Sequence, residues 1–285
     1  MIVCYAQGGG LGHLTRIRAY LHTVHDDEPA TVVTSSPFGG DPRVLGPHRL
    51  ACAPIADVLR ELRPETLVVD AFPGGIRGEL DASVIPPKIR TVHLARLLRW
   101  AAYRDMLPVD VTYFDQTWVL EELTDGHAAF LAGHSGAIGS LTLTDPPSVP
   151  AREIAADRWL IAHAGPLEET TQLLAYAREC AALENVQPRL LLAAPSRPAP
   201  LPADVDHIDD YPVWPLFASA ARVFTAAGFN AVRQMAPWRH RHRILPFARR
   251  WDDQFARAAR VRPPAAHLLS DRTVDQSSWR RRDAR

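Results

Sequence analysis

Residues 1–14 read MIVCYAQGGGLGHL, and this stretch decides the fold class. Ile2 to Ala6 is a short apolar run of strand character and Gln7 to Gly12 is a glycine cluster. From His13 to His25, Leu14, Ile17, Leu21 and Val24 recur at the helical period. A strand that feeds a helix through glycines is the first step of an α/β unit. Glycine lets the backbone turn tightly and approach a ligand closely, and the free N–H groups at the start of the next helix favour an anion. The plain alternative is a tight turn with no ligand. The cluster does not fit the dinucleotide fingerprint, because Thr31 to Ser35 carries no acid to hold a ribose. It does not fit the triphosphate P-loop either, since no Lys-Ser/Thr pair follows. His13 closes the loop at its mouth. A neutral imidazole there can take a proton from a bound hydroxyl; the alternative is a capping or phosphate-contacting histidine.

The pattern of apolar run, glycine and helical period returns twice. Trp159 to His163 leads through Ala164-Gly165-Pro166 into a helix with Leu167, Leu173, Leu174, Ala177 and Cys180 turned inward. Arg222 to Thr225 leads through Ala226-Ala227-Gly228 into a helix with Val232 and Met235 inward. Thr225 to Asn230 is therefore a second candidate anion site, with small residues leaving the backbone open. Further strands are expected at Thr31 to Thr34, Leu50 to Ala53, Leu67 to Asp70, Ile89 to Leu94, Val111 to Phe114, Gln116 to Leu120, Leu190 to Ala193 and Ile244 to Phe247. Strands alternating with helices predict parallel sheets covered on both faces. Thr144 to Pro150 holds three prolines and reads as a linker. The expected division is a first domain over 1–147, a second over 148–265 and a polar tail over 266–285, which Trp279 can anchor.

With 285 residues, 47% hydrophobic and 22% charged, the chain has the composition of a globular protein with a sizeable core. Its formal charge of +0 gives no global field to attract nucleic acid or an anionic membrane. Three cysteines without ligand spacing argue for a reducing compartment. No secretory signal pattern opens the chain and no apolar run approaches the ~20 residues that span a bilayer, so a cytoplasmic location is expected.

Other features carry weaker signals. Asp204-Val205-Asp206 spells D-x-D, yet no histidine or cysteine set has metal-ligand spacing, and no metal is expected. Arg239 to Arg243 is a basic run read as a solvated loop, and Arg280 to Arg282 as a solubilising end. Leu94 to Leu107 has leucines on one face and Arg96, Arg99 and Arg104 around it. It is read first as a domain helix packing its leucines inward, with an amphipathic contact to the inner face of a membrane as the alternative. Asp70 follows a buried strand at its carboxyl end, where α/β sheets bind ligands, and is a secondary candidate for holding a bound hydroxyl compound.

In order, these motifs resemble the GT-B glycosyltransferases, and among them the MurG-like branch that transfers N-acetylglucosamine from a UDP donor. GGGLGH, with Gly9, Gly10, Gly12 and His13, is similar to that branch's acceptor-facing loop. His207-Ile208-Asp209-Asp210 resembles its base-lining segment, and Ala227-Gly228-Phe229-Asn230 its diphosphate turn. Leu245-Pro246-Phe247 followed by Gln254 resembles the segment that meets the donor sugar. The family's ribose-binding glutamate falls on Gln234, the first of its two sugar-side glutamines on Asp253, and its base-covering aromatic on His207. Gly165 joins the donor side.

The resemblance implies two facing Rossmann-like domains with a cleft between them. It also implies an inverting transfer to an acceptor hydroxyl, with His13 as base and no cofactor besides the nucleotide sugar, a UDP-sugar. Amides at Gly228 to Asn230 would take the leaving diphosphate in place of a metal, with Arg249 and Arg250 adding charge. The acceptor stays open between a lipid-linked and a small molecule, and no nucleic acid is expected as a partner. A UDP-sugar epimerase or hydrolase, or a non-catalytic nucleotide-sugar-binding subunit, are the competing readings.

Overall fold

Strand β1 (Ile2–Tyr5) is buried along its whole length, as an unbroken apolar run predicts for a parallel strand covered on both faces. The computed structural model, which describes residues 1–148 and 154–261, continues this βα alternation throughout. After β1 come α1 (Leu11–His25), β2 (Ala30–Val33), α2 (Pro42–Leu45), β3 (Arg49–Ala51), α3 (Ile55–Leu62), β4 (Thr66–Asp70), β5 (Arg90–Ala95), α4 (Trp100–Tyr103), β6 (Phe114–Val119), α5 (Asp125–Gly133) and β7 (Ser135–Ser140). The second half runs β8 (Arg158–Ala162), α6 (Leu167–Glu184), β9 (Arg189–Ala193), β10 (Val205–Ile208), β11 (Arg222–Ala226), α7 (Phe229–Gln234), β12 (His242–Leu245) and α8 (Gln254–Val261).

The strands form two sheets, and every neighbouring pair is parallel. The first has the order β3-β2-β1-β4-β5-β6-β7 and the second β10-β9-β8-β11-β12. In the first, the chain winds outward from β1 to β3 and then crosses back to β4, so β1 and β4 flank a switch point. In the second, β8 and β11 do the same. Loops leave the carboxyl ends of such a strand pair in opposite directions and open a crevice. His13 lies just past β1, Asp70 ends β4, Gly165 lies just past β8 and Gly228 just past β11. The topology therefore brings the three glycine turns and Asp70 to crevice positions.

Alternation along the strands divides the core into layers. Cys4, Val32 and Val68 face Leu14, Ile17, Tyr20 and Leu21 of α1, while Val3, Tyr5, Leu67 and Val69 face Ile55, Val58 and Leu59 of α3. In the second sheet, Trp159, Ile161, Leu192 and Phe224 meet Leu173, Leu174 and Ala177 of α6. Phe229, at the start of α7, packs into the core of the first half.

Several expectations change. Val111 to Phe114 is no strand; Val111 makes only an isolated bridge to Asp81, and pairing begins at Phe114. Strand β7, glycine-containing and at the sheet edge, carries no apolar alternation that could announce it. Leu94 to Leu107 is not one helix. Its first residues belong to β5, α4 is a single turn, and Leu97, Leu98, Trp100 and Tyr103 are buried, so it offers no amphipathic helix to a membrane. Among the described residues no helix is long and apolar enough to cross one. In the basic run, Arg241 and Arg243 cap carbonyls and His242 is buried against Thr225, so it is built into the fold rather than a free loop. Val24 and Leu167 are exposed. Part of the expected linker and the whole tail lie outside the described residues, Trp279 and Arg280 to Arg282 included.

Two fully buried histidines, His93 and His127, stack on Phe114 and Trp100, at 4.9 and 4.3 Å between ring centres. Burial pushes their pKa values down to about 4 and about 3. Below the ordinary histidine value of about 6.5 the unfolded chain binds protons that the folded chain refuses, so stability falls as pH falls through that window. We expect the thermal midpoint to hold between pH 7 and 8 and to drop from pH 6.5 toward 5. The double variant His93→Leu/His127→Leu should show a shallower drop by calorimetry.

Candidate active site in the interdomain cleft

The two crevices face each other across a cavity of about 750 Å³. Gly9, Gly10, Gly12 and His13 line it from the first domain; Gly165, Gly228, Phe229, Asn230, Gln234 and Gln254 line it from the second. His13 is the third residue of α1, and its side chain is mostly covered. Its ring lies directly over Gly8, where an added Cβ would stand only 2.4 Å from the ring. Gly8 is thus the glycine of the cluster that no other residue can replace. At Gly9, Gly10 and Gly12 a Cβ would meet nothing within 4 Å.

Asp70 does not line the cavity. It is fully buried behind His13, which corrects its assignment as an acceptor contact. Its Oδ2 lies 2.6 Å from His13 Nδ1 and accepts from Arg16 Nη2 at 2.7 Å, while Arg16 Nε donates to Oδ1. Burial by itself would raise the Asp70 pKa, but the charges of Arg16 and His13 and their hydrogen bonds outweigh it and hold the carboxyl well below the usual range. An ionised Asp70 accepts only, so His13 Nδ1 carries the proton and donates it. That leaves Nε2 as a free lone pair. For His13 burial is the larger effect and lowers its pKa against the opposing pull of Asp70, so the imidazole is neutral at pH 7. An oriented, neutral histidine facing a cavity can take a proton from a hydroxyl bound there.

On the opposite wall, Gly228 caps α7 in an extended conformation, and a Cβ built there would meet nothing within 4 Å. The backbone N–H groups of Gly228 to Ala231 find no acceptor among the described residues, as expected for a helix start. They are free for an anion. Asn230 Nδ2 donates to the Gly12 carbonyl at 2.8 Å, and the Arg16 guanidinium sits 5.5 Å above the Phe229 ring. The two glycine turns are therefore held together directly.

Four assigned donor residues take other positions. His207 turns its Nε2 onto the Ala194 carbonyl at 3.0 Å, and Ile208 is buried in the core of the second domain. Because these two belong to β10, their side chains follow the pleat rather than a loop, and the cavity wall is built instead by Asp209 to Trp214. Ala227 is fully buried, its carbonyl accepting from Arg257 at 2.9 Å. Asp253 accepts from the Ala256 N–H at the start of α8, while its neighbour Asp252 lines the cavity. Gln254 does line it, with Oε1 taken by the Phe247 N–H at 3.0 Å, and Gln234 donates to Asp145 at 3.0 Å. Arg249 reaches the cavity with both terminal nitrogens on Glu169, whereas Arg250 stacks over Trp251. Asp204 and Asp206 pair with Arg178 and Arg158, and neither lines the cavity.

Arg96 and Asp252 were not found from sequence. Arg96 follows β5, is 5% exposed, and donates across the domain boundary to Asp252. Arg257 donates to the same carboxylate oxygen, at 2.8 Å. Burial would raise the Asp252 pKa, but these two arginines bring it down to about 2.

No protein-family model matches the chain, and no curated protein sequence matches it. Solved structures do. Spinosyn rhamnosyltransferase SpnG complexed with thymidine diphosphate superposes with a TM-score of 0.57 at 12% identity, covering 92% of this chain and 84% of that one. Spinosyn forosaminyltransferase SpnP gives 0.58 at 11% identity, covering 95% and 86%. The Streptomyces sp. SF2575 glycosyltransferase SsfS6 complexed with thymidine diphosphate gives 0.56 at 10% identity, covering 91% and 84%. The fold is GT-B. In GT-B terms, the two switch-point crevices are the two walls of the interdomain cleft, and the His13 and Gly228 turns face each other across it.

Removing the Asp70 charge would leave the buried Arg16 guanidinium without its partner. Breaking such a pair costs about 3–5 kcal/mol, so Asp70→Asn should lower the urea midpoint strongly with an unchanged slope.

Proposed function

We propose that the protein transfers a sugar from a pyrimidine nucleoside diphosphate donor to an acceptor hydroxyl, with inversion at the anomeric carbon. One observation carries this reading: a free imidazole nitrogen and a set of free backbone N–H groups, from opposite domains, line one cavity. The acceptor hydroxyl hydrogen-bonds to His13 Nε2. As the proton passes to Nε2, the oxygen attacks the anomeric carbon from the first-domain side. The bond from that carbon to the diphosphate oxygen breaks, and its electron pair leaves on the diphosphate. Asp70 stabilises the imidazolium formed, and the N–H groups at Gly228 to Ala231 take the charge on the leaving group.

A single displacement is favoured by the state of the carboxylates. A two-step retaining route needs a free carboxylate as nucleophile; of the lining carboxylates, Asp41, Glu169 and Asp252 are each held by arginine, and Asp209 lies 3.7 Å from Arg43. In this reading no metal is assigned to the leaving group. The MurG-like order of the motifs supports a UDP-sugar, N-acetylglucosamine among them, while the thymidine diphosphate in the names of SpnG and SsfS6 supports TDP as the competing donor. With no amphipathic helix over 94–107, a small acceptor is preferred to a lipid-linked one.

Calorimetric titration with UDP, TDP and UDP-N-acetylglucosamine, with and without EDTA, tests the donor assignment. We expect one nucleotide to bind with an affinity indifferent to EDTA. Silence with all of them, or loss of binding with EDTA, would overturn it. Gly228→Val should fold normally, because φ −69° and ψ 146° suit any residue, and should bind that nucleotide at least tenfold more weakly.

For His13→Ala we expect a loss of about 10²–10⁴ in turnover, the usual share of a general base. In the parent, kcat/KM should stay level above pH 7 and fall only below the ordinary histidine value of about 6.5, because the His13 pKa is lowered. Hydrolysis of the nucleotide sugar to free sugar and nucleoside diphosphate at the same rate without an acceptor would instead favour the hydrolase reading.

A further inference from the structure

The second-domain wall repeats the arrangement around His13 with one difference. Behind His13 a carboxylate is shared by a histidine and an arginine, and packing holds all three. On the opposite wall Glu169, in the first turn of α6, accepts from both terminal nitrogens of Arg249. His163, just past β8, brings Nε2 to 3.0 Å from Glu169 Oε2 without the alignment of a hydrogen bond. Gly165 leaves room for that approach, because an added Cβ would stand 2.4 Å from Nε2 and 2.9 Å from the carboxylate. The difference is exposure. The Arg16 side chain is 3% exposed and stays on Asp70, whereas Arg249 is 31% exposed and lines the cavity. His163, at 5%, is fixed in place. Glu169 thus has two claimants, one held by packing and one free to move.

In the second sheet β11 lies between β8 and β12. Glu169 follows β8 and Arg249 follows β12, so their contact spans the carboxyl end of β11, which carries the Gly228 turn. Phe247, just past β12, brings its ring to 5.7 Å from that of His163, so residues from the two flanking strands do meet there. An anion on the free N–H groups of the Gly228 turn therefore arrives beside Arg249. It competes with Glu169 for the guanidinium, since phosphate and carboxylate oxygens suit the same fork. Withdrawing Arg249 alone would leave a largely covered carboxylate without a partner, which is costly.

His163 can supply that partner. Burial lowers its pKa, Glu169 opposes that, and the charge of Arg249 adds to the lowering, so the ring is neutral at pH 7 while Arg249 is in place. Once Arg249 turns away, its repulsion goes and the attraction of Glu169 remains.

We infer that Arg249 is a diphosphate-binding side chain held in reserve by Glu169, and that His163 takes its place on Glu169 when the diphosphate binds. The ring takes one proton from solvent in the exchange, and Nε2 donates to the carboxylate. Nucleotide binding is thereby linked to proton uptake. This rests on the reading of the cleft as a sugar-transfer site.

The probes are UDP and TDP, titrated calorimetrically into the full chain at pH 7.5 in HEPES and in Tris, whose different ionisation enthalpies reveal the protons exchanged. The variants are His163→Gln, Glu169→Gln and Arg249→Gln, with thermal denaturation confirming that each is folded. For the nucleotide that binds, we expect the parent to take up roughly half a proton or more and His163→Gln to take up none. The phosphates of the ligand titrate alike in both. Arg249→Gln should bind about tenfold more weakly, the scale of a charge-assisted hydrogen bond. Glu169→Gln should bind roughly threefold more tightly, the scale of a partly exposed ion pair, because Arg249 is then free from the start. A purely structural role for Glu169 would weaken binding instead and would overturn the assignment. So would no proton uptake in the parent, an uptake that persists in His163→Gln, or an affinity indifferent to Arg249→Gln. Should Glu169→Gln not fold, the proton count in His163→Gln decides alone. Failure of every nucleotide to bind the parent would strike the sugar-transfer reading, a separate result visible before any variant is made.

Discussion

A carboxylate with no exposure at the end of a central strand constrains this molecule more than any other group. Asp70 can be ionised there only because Arg16 and His13 both reach it. The two partners stand three residues apart, so one helix face presents them together. That demand sets how α1 lies against β4, and with it the height of the His13 ring above the preceding loop. Gly8 follows from the same geometry, since the ring occupies the space where a side chain would begin. One arrangement does two things: the interaction that makes a buried charge tolerable is also the one that fixes the tautomer of His13.

The second constraint is the contact between domains. Arg257 donates to Glu121 of the first half and to Asp252 of the second, and Arg96 meets Asp252 from the other side. Ion pairs of this kind contribute less to net stability than to choosing one arrangement over others, because desolvation offsets most of their attraction. Here they set how two separately wound sheets face each other. They also neutralise the cleft. The carboxylates beside Arg16, Arg43 and Arg249 cancel most of the positive charge on its walls, so the cleft carries no strong side-chain field.

Much of the second-domain wall of the cavity was legible by analogy, but only at the level of segments. The turn at Gly228 to Asn230 and the glutamines Gln234 and Gln254 do line the cavity, whereas His207, Ile208, Ala227 and Asp253 are turned away from it. The difference is a matter of one-residue phase. In a strand, neighbouring side chains face opposite ways, and at a helix start one residue caps while the next projects. A motif quoted as a block cannot carry that phase.

Local order was within reach of the sequence by itself. Apolar runs, glycine turns and helical periods specify α/β units because their physics is short-range: buried strands need apolar residues on both faces, and a tight turn needs small ones. From these came the parallel sheets, and His13 and Gly228 as residues at turns, which the structure places on one cavity. Only the tertiary structure decided that Asp70 stands behind His13 rather than on the cavity wall, that Gly8 is the glycine over which the His13 ring lies, and that Arg96 reaches across to Asp252. Those facts depend on contacts between residues tens to hundreds of positions apart, such as Arg96 with Asp252. The energy of a buried charge is set by what surrounds it in space, and no local pattern records that.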